Sequence, residues 1–273
     1  MSCPHCAVSS AKKRAKKTEL GDATFFCPGC RRTFNERTGT PFNYLEVPTD
    51  VVFLVVFWRL RYTLRLRDVA EMFLERGFVF THETVREWER RFAPLMTDQL
   101  RTKRRGRAGR SWYVDETYIK VNGKWCYLYR AVDEDGNLVD SRLSEKRDMD
   151  AAQQFFKQAI AVVGHTPQQV TTDGHRSSPR TIRETMGNEV LHRTSVYLNN
   201  QIEQDHRGIK QRYYLMHGFG NVVSAARFCR AFDELRQYFR LHATTKSAIS
   251  LAQRRQIFCE RLVALHELIM LVS

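Results

Sequence analysis

The chain has 273 residues, with 44 Lys and Arg against 30 Asp and Glu, a formal net charge of +14 and a sequence pI near 9.7. A hydrophobic content of 42% with 17 Phe supplies a real core and excludes wholesale disorder. The cation excess points to a polyanionic partner, above all nucleic acid, and the longest apolar run, Val51–Trp58, is too short to cross a bilayer. The N-terminus carries no apolar signal core, so the expected location is the cytoplasm, in association with the nucleoid, with no membrane partner.

Residues 1–46 contain Cys3-Pro-His-Cys6 and Cys27-Pro-Gly-Cys30, with twenty residues between the two pairs. Each CxxC turn presents two thiolates to one tetrahedral ion, so Cys3, Cys6, Cys27 and Cys30 predict a structural zinc ribbon, with a redox pair as the lesser alternative. Between them lies the basic run Lys12–Lys17, equally compatible with phosphate contact or a solvated loop. The other three of the seven Cys are scattered, as suits a reducing compartment.

Residues 47–100 read as helical. Pro48-Thr49-Asp50 opens a helix over Val51–Leu60 that is apolar nearly all round. Leu66, Val69, Ala70, Phe73 and Leu74 then repeat at helical spacing up to Gly77. Thr81 is an N-cap for a further helix through Val85, Trp88 and Phe92. Helix, short turn and helix is the helix-turn-helix plan, which would bring His82, Glu83, Arg86 and Glu87 to the major groove of double-stranded DNA. Residues 101–110 hold six cations and no large apolar side chain. They read as a flexible basic linker whose Lys103, Arg104 and Arg105 meet phosphates.

From residue 111 the period changes. Trp112–Val121 and Lys124–Val132 are strands joined by Asn122-Gly123, the strongest short hairpin signal. Leu138–Ser144 is a third strand, Asp148–Val163 a helix, Gln169–Asp173 a short strand, Ser178–Met186 a helix and Glu189–His192 a short strand. The fold class is therefore α/β, a mixed sheet with helices on its faces.

Three carboxylates stand out. Asp115 lies mid-strand among apolar neighbours, where an acid is costly unless paired or bound to metal. Asp173 ends a short strand before Gly174. Glu203 lies near the start of a helix opened by Asn199 or Asn200, with His206, Arg207 and Lys210 on the same face. Together Asp115, Asp173 and Glu203 suit one or two Mg²⁺ ions, or Mn²⁺, that activate a hydroxyl for in-line displacement at a phosphodiester. Pattern alone does not exclude Glu116, Asp133 or Asp205.

Trp112 to Asp133, Thr171-Thr-Asp-Gly-His-Arg-Ser177 and Asn199 to Arg212 resemble, in order, the three catalytic segments of DDE transposases in bacterial insertion-sequence family six. The similarity spans roughly residues 48–240. It implies a ribonuclease H-like catalytic domain over 111–242 with the triad Asp115, Asp173 and Glu203. It also implies that Lys210 holds DNA beside the site; His206 and Arg207, on the same face, are then expected to touch DNA or to support the metal ligands from behind. The interval from Asp173 to Glu203 encloses 29 residues, a few fewer than in familiar relatives, and Ser178 stands where an aromatic is common.

At the C-terminal end Phe228, Phe232, Leu235 and Phe239 mark a core helix, and residues 243–273 hold a last helix that closes the core or pairs subunits. The resemblance implies a homodimer or larger assembly. The expected activity is binding of terminal inverted repeats, metal-dependent strand cleavage and transfer into target DNA. The alternative is a catalytically silent relative acting as a DNA-binding repressor.

Overall fold

The computed structural model describes residues 1–173, 178–195, 200–214, 216, 218–241 and 249–270, without the side chains of 178, 200, 201, 204 and 212. The expectations placed on Asn199, on the Gly174 turn and on the side chains of Ser178 and Asn200 lie outside the described residues.

The N-terminal segment is a three-stranded antiparallel sheet of β1 (Lys12–Lys17), β2 (Ala23–Phe26) and β3 (Thr33–Asn35), in that order. The basic run left open above is thus an exposed edge strand, and lysines along an edge deter pairing with another chain. The core of this unit is very small, with Cys3, Ala23, Phe25, Cys27 and Phe34 as its buried residues. A domain this poor in buried apolar surface ordinarily needs a staple such as a metal.

Three helices follow, α1 (Thr49–Arg61), α2 (Leu66–Leu74) and α3 (His82–Arg104). The Thr81 hydroxyl accepts from the Thr84 N–H at 3.3 Å and so caps α3 as expected. Unlike the expected element, α3 does not stop near residue 100. It runs on through Arg104, passing Pro94 on the way.

The expected linker is corrected by this helix. Arg101 Nε lies 3.0 Å from Glu234 Oε1, and Arg101 also pairs with buried Asp140. Arg104 Nε meets Glu234 Oε2 at 2.7 Å, and its Nη1 donates to the carbonyls of Leu138 and Val139 at 3.1 and 2.8 Å. Arg104 is therefore a structural cation and not the phosphate contact expected of it. Composition misled here because the two arginines serve acids more than 30 residues away. Lys103 and Arg105 remain exposed.

The larger sheet is built from β4 (Ser111–Val121), β5 (Lys124–Asp133), β6 (Leu138–Ser144), β7 (Gln169–Thr172) and β8 (Leu191–Thr194), in the order β6-β5-β4-β7-β8. β4, β5 and β6 are antiparallel neighbours, while β7 and β8 run parallel to β4. Asn122 and Gly123, with φ of 46° and 79°, make the mirror-image turn that matches strand twist in a two-residue hairpin. This is the ribonuclease H-like mixed sheet expected above.

Alternation along β4 gives the sheet two apolar faces. Trp112 and Val114 pack with Tyr129, α4 (Met149–Val163) and Ile182 of α5 (Ser178–Met186). Ile119 and Val121 face the other way, towards α6 (Asn200–Tyr213) and α7 (Val222–Phe239). That second core is continuous with the core of α1, α2 and α3, and with Leu265 and Ile269 of α8 (Leu251–Met270). The boundaries expected at 100 and 110 thus do not separate two cores. The helices before residue 105 and the sheet after it share one.

Arg104→Ala would uncover one side of buried Glu234 and is expected to cost about 2 kcal/mol or more of folding stability. Lys103→Ala and Arg105→Ala should each stay within about 0.5 kcal/mol. Urea denaturation of the three variants distinguishes a structural Arg104 from a surface cation.

Candidate active site

The parallel pairing of β4 with β7 brings two of the sequence-predicted carboxylates together. Tyr113 pairs with Thr171, so the register carried two residues further sets Asp115 beside Asp173, just past the end of β7. Ligand oxygens of Asp115, Glu116 and Asp173 all lie within 4.8 Å of one another. Glu203, on the first turn of α6, is exposed and is not one of that close group, yet its charge still reaches Asp115. Glu116, which pattern alone does not exclude, is turned by strand alternation towards the α4 face. There Arg147 Nε meets it at 3.2 Å. Arg147, on the bend before α4, carried no sequence signal.

Asp115 is held on the α6 face of the sheet. Its Oδ1 accepts the Glu116 N–H at 2.8 Å, and its Oδ2 lies 3.7 Å from His206 Nδ1. Burial pushes its carboxyl from the ordinary 3.8 up to about 6. The Glu116 N–H opposes that rise, and the charges of Glu116, Asp173 and Glu203 reinforce it. Such crowding of hard oxygen donors around a half-buried acid fits a divalent cation, which would remove the repulsion.

Of the two roles expected for His206, DNA contact or support of the ligands, its position 3.7 Å from Asp115 fits the second. It is buried, and burial, aided by the charges of Arg130, Lys210 and Arg236, drives its pKa down to about 3. It therefore stands as a neutral imidazole beside Asp115. Arg207 is exposed and Lys210 half-buried on the same helix. Asp205 turns inward, where Arg130 of β5 and Arg236 of α7 hold it. Asp133 is likewise structural: its carboxylate accepts from the backbone N–H groups of Gly109, Asp135 and Asn137. Arg86 stays exposed on α3, paired with Glu83.

In the small N-terminal sheet the four cysteine sulfurs also gather within 4.8 Å of one another. Cys3 Sγ lies 3.6 Å from Cys30 Sγ, and Cys6 Sγ lies 3.5 Å from Cys27 Sγ. Tetrahedral thiolates bound at zinc's usual bond length stand about 3.8 Å apart, so the donor set fits zinc. The Cys30 N–H pulls the Cys27 thiol down to about 7, while against the Val8 N–H the Cys27 sulfur pushes Cys6 up to about 12, so Cys27 is the thiol readiest to meet a metal as a thiolate. Among the described residues, no helix is long and apolar enough to cross a membrane.

A ribonuclease H-like sheet with carboxylates clustered on its central strand and at the end of the neighbouring one is the architecture of a polynucleotidyl transferase. The DDE domain model of IS240-type transposases matches residues 109–242. The transposase for insertion sequence-like element IS431mec of Staphylococcus aureus (strain Mu50) is 42% identical over 175 residues, 63% of this chain and 77% of that protein. The S. aureus transposase for insertion sequence element IS257 in transposon Tn4003 is 41% identical over the same shares. Among solved structures, the HTLV-2 integrase catalytic core domain in complex with magnesium (dimeric form) aligns with a TM-score of 0.39 at 20% identity, over 56% of this chain and 99% of that one. The chain belongs to the DDE transposases of insertion-sequence family six.

Because folded Asp115 holds its proton up to about pH 6, against 3.8 ordinarily, its ionisation opposes folding. The cost is absent below about pH 4 and fully present above about pH 6. Without added divalent metal, Asp115→Asn should therefore raise stability at pH 8 by about 1–2 kcal/mol, the full shift being discounted for partial exposure, and the gain should vanish near pH 4. Mg²⁺ should raise the melting temperature of the wild-type chain and leave that of Asp115→Asn nearly unchanged. Thermal melts at both pH values, with and without Mg²⁺, provide the check.

Proposed function

We propose that this transposase binds the terminal inverted repeats of an insertion sequence, frees 3′-hydroxyl ends by hydrolysis and joins them to target DNA by transesterification. The observation that carries the reading is the meeting of Asp115 and Asp173, within reach of the charge of Glu203 on α6. These three would hold two Mg²⁺ or Mn²⁺ ions, which supply nucleophile activation and charge stabilisation when bound. Glu116 lies close by, but its carboxylate is engaged by Arg147 on the other side of the strand. Glu203 faces solvent and, among the described residues, forms no ion pair, so it is free to complete the donor set.

The protein's own groups then have distinct tasks. His206, neutral and buried, fixes the inner flank of Asp115 without competing for it as a cation. Lys210, two turns beyond Glu203, holds a phosphate of the strand being cut, and Arg207 lies on the exposed side of the same helix. Arg65, Arg67, Arg86, Arg90 and Arg227 line a cleft of about 1050 Å³ between α2, α3 and the start of α7. That cleft is where the duplex backbone would lie while the exposed start of α3 reads the repeat. Lys103 and Arg105 add non-specific phosphate contacts. The four cysteines hold one structural zinc that steadies the N-terminal unit for end binding. The working assembly is a homodimer or larger, since two ends must be brought together.

Incubation with DNA carrying the element's ends, in Mg²⁺ or Mn²⁺, tests the reading. Wild type should cleave and transfer strands. Asp115→Asn, Asp173→Asn and Glu203→Gln should each lose about a thousandfold or more, because several kcal/mol of charge stabilisation leave with the metal. Equal activity in wild type and Asp115→Asn would sink the triad, and tight end binding with no cleavage in either metal would make the chain a repressor instead. Elemental analysis should find about one zinc per chain, reduced to nearly none by Cys3→Ser together with Cys27→Ser. A zinc-free wild type with reduced thiols would remove the ribbon's metal.

A further inference from the structure

The outer end of the β4–β5 hairpin carries a feature that the triad does not use. Cross-strand register sets Glu116 opposite Tyr129, Tyr118 opposite Tyr127, and Lys120 opposite Trp125, all on one face of the sheet. The inner part of that face, around Tyr129, is covered by α4. Beyond it the cover ends: Tyr118 is 43% exposed and Trp125 is 54% exposed. Large aromatics at mid-strand are ordinarily buried or bound to something.

The surroundings of these rings indicate what binds them. Lys120 Nζ lies 5.7 Å from the centre of the Trp125 ring, and exposed Lys124 sits at the hairpin tip. Arg147 donates to the Tyr118 hydroxyl at 3.2 Å while holding Glu116 at the same distance. Tyr118 and Trp125 meet edge to face, at 83° with centroids 6.3 Å apart, so they do not form a closed stack. Open π-surface framed by cations is the composition that holds unpaired nucleotides, the base on a ring and the phosphates on the charges. Position agrees with this. At about 3.3 Å per residue the row runs outward from Glu116 to Lys120 over about 13 Å, beginning at the carboxylate cluster.

We propose that Tyr118 and Trp125, flanked by Lys120, Lys124 and Arg147, form a stacking platform for an unpaired base of the DNA strand whose phosphodiester lies at Asp115 and Asp173. The proposal rests on the transposase reading and adds a substrate feature to it: the strand is opened next to the scissile bond, and the base released from its pair is received on Trp125. Stacking of this kind tolerates any base, so the platform contributes affinity for an open strand and leaves sequence choice to the repeat-binding helices.

Trp125 is its own reporter. Of the four tryptophans, Trp88 and Trp112 are buried and Trp58 is half-buried, so emission quenched by DNA arises chiefly at Trp125. In the full chain, without added divalent metal so that no strand is cut, a short single-stranded oligonucleotide should quench the emission. A fully paired duplex carrying as many phosphates should do so far less. Trp125→Ala should lose the quenching and bind the oligonucleotide about fivefold to a hundredfold more weakly, with duplex affinity unchanged, while Trp125→Phe should keep the affinity. Terminal-repeat substrates with the bases beside the cut left unpaired should rescue cleavage by Trp125→Ala in part.

Equal oligonucleotide affinity in wild type and a folded Trp125→Ala would overturn the platform. So would an equal loss for duplex and single strand, and so would a variant that only loses self-association, which would make the patch a subunit contact. Failure of the transposase reading shows differently, as absent cleavage in the wild type whatever the state of Trp125.

Discussion

The buried guanidinium of Arg130 is the constraint on which the catalytic unit depends. It sits on β5 opposite Asp115, only 1% exposed, and from there it binds two helices at once. On α6 it takes the carboxylate and the backbone carbonyl of Asp205, and on α7 it lies 3.0 Å from Asp233. Arg236 joins from α7, 2.6 Å from the second oxygen of Asp205. Removing a cation from such a site leaves buried acids unpaired, at a cost of about 3–5 kcal/mol, so the arrangement is strongly enforced. Its consequence is positional. Once Asp205 is fixed on Arg130, its neighbour His206 is carried to Asp115, and Glu203 and Lys210 are set one turn to either side of that point along α6.

The same cation makes the site electrostatically uneven in a useful way. Arg130, Lys210 and Arg236 help keep His206 neutral, after burial has done most of the work. Asp115 receives no compensating charge from it and remains pushed up to about 6 by burial and by its acidic neighbours. The fold thus spends its strong pairs on Asp205, Asp233 and Glu234, and gives Asp115 only the neutral ring of His206. Acids that the protein does not neutralise are acids that a divalent cation can.

Most of this was legible in the chain wherever a local rule governs. Asn122-Gly123 announced the hairpin, Thr81 the start of α3, and the two CxxC pairs the cysteine cluster, because each is decided within a few residues. Asp115 was visible as an acid among apolar strand neighbours. Long-range charge pairing was not visible. Arg101 and Arg104 look like linker cations until Glu234 and Asp140 come to meet them from as far as 133 residues away, and Asp205 looks like a surface acid until Arg130 is placed beneath it. Glu116 misled for a different reason. Alternation assigns it to the other face, but adjacent carboxylates beside the open end of β7 still approach closely enough to share a field.

The pairs hidden from the sequence also determine how the helices before residue 105 are joined to the sheet that bears the carboxylates. A flexible connector after residue 100 would have let the helices of residues 47–100 move freely over the sheet. Instead α3 is one helix of 23 residues, about 34 Å long, whose exposed start carries Arg86 and whose end is clamped by Glu234 of α7. Glu234 is the neighbour of Asp233, which Arg130 holds beneath Asp115. A short chain of buried ion pairs therefore fixes the end of α3 to the strands that bear Arg130 and Asp115. The apolar core shared by α1, α2, α3 and α7 keeps the intervening elements from shearing. In such a molecule the distance from the exposed start of α3 to the carboxylates of β4 is set by the length of a helix and not by the slack of a linker. Under the proposed function, that fixed length would set the offset between the sequence recognised and the bond cut.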